Sequence, residues 1–108
     1  MAEELVVLIT ASSPDEAQMI GTALVAEHLA ACVNIVPQVR SVFFWQGGTQ
    51  DEGETLLIAK SRQPLLEKLI SRVKALHSYS VPEVIALPVV GGSREYLEWL
   101  NDATKSSS

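Results

Sequence analysis

The stretch from Leu29 to Trp45, LAACVNIVPQVRSVFFW, decides how the rest of the chain must fold. β-branched and aromatic residues dominate it and no helix-period stripe runs through it, so it is predicted as a strand. Extended from Cys32 to Trp45 at about 3.3 Å per residue, it would reach about 46 Å, against a radius of gyration of about 13 Å for a chain of this size. One compact domain cannot bury it. Pro37 has no N–H to give to a ladder and belongs at edges and bulges, so a break is expected there, and the far end is expected to leave the domain and pair with another subunit.

The segments around it complete a pattern. Leu5 to Ile9 is a run of large aliphatics, too short for a helix, and reads as a central strand buried on both faces. Ser13-Pro14-Asp15-Glu16 then gives an N-cap, a proline at the first helical position and acids in the first turn, the signature of a capping box. Ala17, Ile20, Leu24 and His28 or Leu29 recur at helical spacing, with Gly21 on the same face where a close approach to the sheet favours a small residue. Gln46 to Gly53 is polar and glycine-rich and is expected as a hairpin loop, after which Glu54 to Ser61 is the return strand. Gln63-Pro64 opens a second helix with Leu66, Leu69, Ile70, Val73 and Leu76 as its stripe, ended by His77.

Residues 83–90 form a fourth strand, where Pro88 argues for an edge or bulge. Gly91-Gly92-Ser93 then caps a short helix through Tyr96, Leu97 and Leu100, and the tail from about residue 103, Ser106 to Ser108 above all, is expected to fray. The order β-α-β-β-α-β plus a C-terminal helix is the α+β, ferredoxin-like split βαβ arrangement in one domain over residues 1–108.

Composition excludes several classes. The 108 residues are enough for one core; 47% are hydrophobic and 19% charged, as in a globular domain with an aliphatic interior. A net charge of -5, with no basic run or stripe, argues against nucleic acid. The lone Cys32 forbids an intrachain disulfide and fits a reducing compartment. The acidic start, Met1-Ala2-Glu3-Glu4, is unlike a secretory signal, and no apolar run approaches the ~20 residues that cross a bilayer, so a cytoplasmic protein without a membrane partner is expected.

Few residues offer chemistry. Cys32, between Ala31 and Val33, reads first as a small buried hydrophobe, because no base or electropositive neighbour is adjacent to activate it. His28 reads as an end-of-helix cation favoured by the dipole. The densest polar cluster is His77-Ser78-Tyr79-Ser80-Val81-Pro82-Glu83, an imidazole, a phenol and a carboxylate on a loop between rigid elements; it is either a site or a helix terminus satisfying its own backbone. Phe43, Phe44 and Trp45 cannot all face one core, because successive strand residues alternate sides, so at least one forms an exposed patch or an interface. No phosphate loop, Ser/His/Asp order or metal-spaced Cys/His cluster is present.

Five segments nevertheless resemble one known family. Leu29 to Ile35, Ser41 to Gly47, Glu54 to Lys60, His77 to Pro88 and Tyr96 to Leu100 together are similar to the CutA, or divalent-cation-tolerance, proteins. The resemblance implies a tight homotrimer joined through the long hairpin strands, with Phe43, Phe44 and Trp45 at the interface, an architecture like the PII signalling proteins, and a link to tolerance of copper and other divalent metals without an established reaction. It also implies an intersubunit cleft in which Cys32, Lys60, His77, Tyr79 and Glu83 are the candidate ligand-binding residues. An enzyme would use Cys32 or Tyr79 there as nucleophile or acid, helped by His77 and Lys60; the missing paired base and cofactor motif favour a small-ligand or metal sensor.

The chain departs from the family pattern at Ser78 and Ser80, where the usual loop has a proline and a carboxylate, and at Gly48, where a lysine is usual. The copper-binding members' donor positions fall on Ile9, Leu76 and His77, of which only His77 is a donor. No cofactor is therefore required. Copper or another divalent cation is expected to bind weakly at most, through His77, and to be lost as the imidazole protonates near its reference pKa of about 6.5.

Overall fold

Ser13 caps the first helix, its hydroxyl accepting the N–H of Glu16 at 3.1 Å, with Pro14 at the first helical position. The Glu16 carboxylate reaches back not to Ser13 but to the N–H and hydroxyl of Ser12, both at 2.9 Å, so the capping box closes one residue early. In the computed structural model, which describes residues 3–105, the elements are β1 (Glu4–Ala11), α1 (Pro14–Ala26), β2 (Cys32–Trp45), β3 (Gly48–Arg62), α2 (Leu66–Leu76), β4 (Val84–Pro88) and α3 (Arg94–Ala103). A short 3₁₀ turn, Gln63–Leu65, leads into α2. The fraying expected for Ser106–Ser108 lies outside the described residues.

The sheet order is β2-β3-β1-β4, every pairing antiparallel, which is the expected ferredoxin-like topology. Side chains alternate along each strand, and one set faces α1 and α2. Val7 and Ile9 of β1, Leu57 and Ala59 of β3, Ile20 and Leu24 of α1 and Leu69 and Val73 of α2 are all fully buried in the core. Gly21 is buried on the inner face of α1, where a Cβ would meet the Val33 side chain at 3.4 Å.

Several boundaries differ from the expectation. α1 stops at Ala26, so His28 is not on its apolar face: it takes φ of 61°, and the N–H groups of His28 and Leu29 return to the carbonyls of Val25 and Leu24 in a Schellman closure. β4 is shorter than residues 83–90, although the N–H of Val89 still donates to Glu4. Residues 103 and 104 have partners in the body of the domain. The Ala103 carbonyl accepts from the His28 ring at 3.2 Å, and Thr104 is buried and held by the Arg62 guanidinium at 2.7 Å.

The largest correction concerns Gln46 to Gly53. Only Gln46 and Gly47 turn, with φ of 51° and 80°, the paired positive values of a type I′ hairpin, and pairing starts again at Trp45 with Gly48. Glycines and polar residues can be strand here because the segment needs no core: beyond Ala11, where β1 ends, β2 and β3 run on together as a free two-stranded ribbon. Its seven residues per strand reach about 23 Å from the body. That accounts for a radius of gyration of 14.4 Å and a long axis of 44 Å.

The break at Pro37 is also real. Pairing shifts by one residue between Val36 and Val39, a bulge in which Pro37 and Gln38 oppose Thr55, whose hydroxyl donates to the Pro37 carbonyl at 3.1 Å. The consequence is a change of side. Cys32, Asn34 and Val36 lie on the face away from α1 and α2, opposite Lys60, Ile58 and Leu56; after the bulge that face passes to Val39, Ser41, Phe43 and Trp45.

Gly21 supplies a test of the helix-to-sheet spacing. Gly21→Ala is expected to be neutral or to stabilise by up to about 1 kcal/mol through helix propensity, whereas Gly21→Leu is expected to cost about 1–3 kcal/mol by overpacking against Val33. Urea unfolding of the two variants measures this, and a tolerated leucine would overturn the close approach.

Candidate functional site

The loop from His77 to Glu83 is positioned by a buried imidazole. The His77 side chain has no exposed surface. Its Nε2 lies 2.6 Å from the carbonyl of Thr10, an acceptor only, so Nε2 carries the proton, and Nδ1 accepts the N–H of Tyr79 at 3.0 Å. Both nitrogens are engaged by backbone. A metal at His77 would have to break one of these bonds.

Glu16 holds the same loop from the other side. Its carboxylate, 10% exposed, accepts from the N–H of Ser78 at 2.8 Å as well as from Ser12, and so ties the start of α1 to the end of α2. Burial alone would raise this carboxyl; the hydrogen bonds from Ser12 and Ser78 outweigh burial and bring it from 4.5 to about 2.

Tyr79 packs against His77, ring centroids 4.6 Å apart, and its hydroxyl donates to Glu54 at 2.8 Å. Burial, then the Glu54 carboxylate, push the phenol up to about 12, with Glu52 and Glu16 adding to the effect. Tyr79 therefore stays protonated and serves as a donor. Between this loop and the overhanging ribbon lies a cavity of about 770 Å³, lined by Phe43, Trp45, Glu52, Glu54, Tyr79 and Glu83 among others. It is the candidate site. Register explains part of the lining: Ser41 opposes Glu52 and Phe43 opposes Gln50, so aromatic and acidic side chains share one face of the ribbon.

Of the five candidates read from the sequence, Tyr79 and Glu83 line this cavity, and His77 sits behind it as a support. Cys32 and Lys60 do not join them. These two are paired across β2 and β3, six residues along β3 from Glu54, which is about 20 Å. There Cys32 is half-buried rather than a core residue and shares a hydrogen bond of 3.4 Å with the Tyr96 hydroxyl of α3, while Lys60 donates to Asn34. Phe43 and Trp45 face the cavity; Phe44, 73% exposed, points from the opposite side of the ribbon. Glu16, Glu52 and Glu54 were missed. Glu16 announced itself only as a helix cap, and Glu52 was hidden in an expected loop.

Comparison with known proteins now fixes the family. Residues 5–103 match the family model described as CutA1 divalent ion tolerance protein. The chain belongs to the CutA1 family. A divalent-cation tolerance protein CutA of Thermus thermophilus is 52% identical over 101 residues, covering 94% of this chain and 98% of that one. A chloroplastic CutA 1 of Oryza sativa is 48% identical over 95% of this chain but 58% of its own length, so the chain spans little more than half of that plant relative.

Among solved structures, CutA1 from Oryza sativa superposes with a TM-score of 0.93 at 46% identity, covering 98% of this chain and 97% of that one. A structure described as a periplasmic divalent cation tolerance protein from Archaeoglobus fulgidus gives 0.91 at 35%, covering 94% and 99%. The ferredoxin-like fold is thus shared across the CutA1 family.

The Glu16 network predicts an acid-labile contribution. Because the folded carboxyl titrates at about 2 and the unfolded one at 4.5, the stabilisation is complete above 4.5 and is lost as pH falls towards 2. The span corresponds to roughly 3 kcal/mol. Glu16→Gln is expected to lower stability at neutral pH by that order and to flatten the acid limb of the pH–stability curve from urea melts. A variant as stable as the parent at both ends would refute the network.

Proposed function

We propose that the chain is a non-catalytic, homotrimeric sensor of a small ligand or divalent cation in metal tolerance, with the cavity beside Tyr79 as its binding site. The observation that carries this reading is where the cavity opens. It lies on the side of the sheet that α1 and α2 leave uncovered, continuous with Leu8, Leu56, Ile58 and Ile85, and Ile85 and Leu87 are about half exposed there. Apolar area of this kind marks a surface made to meet a partner. A second copy is the partner of choice, since the ribbon also exposes Phe44 on its opposite side, and the family resemblance favours three copies over two.

Ligand occupancy would be felt through Tyr79. Its hydroxyl touches Glu54 in the cavity while its N–H rests on His77, which is bonded to β1, and the neighbouring Ser78 is bonded to Glu16 of α1. Displacing Tyr79 therefore loosens the junction of three elements, a signalling change of the loop-ordering kind. Copper or another divalent cation is proposed as a weak ligand: among the described residues no three Cys, His, Asp or Glu side chains are grouped to hold a metal. A reducing, cytoplasmic setting is supported by the lone Cys32; among the described residues no helix is long and apolar enough to cross a membrane.

The catalytic alternative would need Cys32, His77 and Tyr79 in one cleft. Cys32 hydrogen-bonds Tyr96 instead, which favours the sensor. Light scattering at micromolar concentration is expected to give three times the 11.7 kDa of one chain, and Trp45→Asp is expected to lower that mass. Calorimetry with copper(II) chloride at neutral pH is expected to show weak uptake at most. A monomer in solution would overturn the assembly; tight stoichiometric copper binding that survives His77→Ala would overturn the ligand reading, and a turnover abolished by Cys32→Ser with the trimer intact would establish an enzyme.

A further inference from the structure

We draw no further inference here: the strongest candidate, the cluster of Cys32, Asn34, Lys60 and Tyr96 where α3 meets the face of β2 and β3 away from α1 and α2, rests on a lone cysteine and on hydrogen bonds within the cluster, and nothing in the structure points to what it would bind.

Discussion

Helices α1 and α2 close one face of the four-stranded sheet while α3 reaches only one end of the other, where Tyr96 meets Cys32 and Thr104 meets Arg62, and much else in the molecule follows from that asymmetry. The inner face, carrying Val7, Ile9, Leu57 and Ala59, meets α1 and α2 in a dry core. Small residues at Ala17 and Gly21 let α1 approach, and a large aliphatic set at Ile20, Leu24, Leu69 and Val73 fills the layer between. The outer face leaves large aliphatics such as Ile85 and Leu87 about half exposed. Burying such side chains stabilises by about 1.5–3 kcal/mol each, so a domain that leaves several of them wet is stable only because the other layer is well packed.

The site stands where that uncovered face meets the ribbon, and its parts are rigid for different reasons. His77 and Glu16 are fixed by backbone hydrogen bonds, which is why the loop after α2 holds one shape without regular structure. Glu52 and Glu54 are fixed by strand register alone. The first set sets the position of Tyr79 and the second sets the charge that Tyr79 meets. A buried neutral imidazole serves this purpose well, since it donates on one side and accepts on the other without bringing a charge into the core.

The fold was legible because its signals are local. The Ser13-Pro14 cap, the stripe from Leu66 to Leu76 and the length of the Cys32–Trp45 run each state an element without reference to the rest. The free ribbon was misread for a physical reason: Gly48 to Gly53 carries no hydrophobic alternation, and only the antiparallel ladder to residues 40–45 makes it a strand. The site was half legible. Tyr79 and Glu83 stood out as a polar cluster, but Cys32 and Lys60 were read into the same cleft although the strands carry them to the other end of the sheet, outside this cavity. Which acid a tyrosine meets across 25 positions, as Tyr79 meets Glu54, is a fact of register that no local pattern encodes.

The bulge at Pro37 and Gln38 makes this a point of β2 where the chain can shorten without moving the site. A substitution at Gln38, which is exposed, touches little. Loss of one residue there would leave a single residue opposite Thr55 and keep Val36 on Leu56 and Val39 on Glu54, so Ser41, Phe43 and Trp45 would hold their face. The extra residue is spare length that the ladder tolerates. Two lineages that differ by that one residue would still present the same side chains to the cavity.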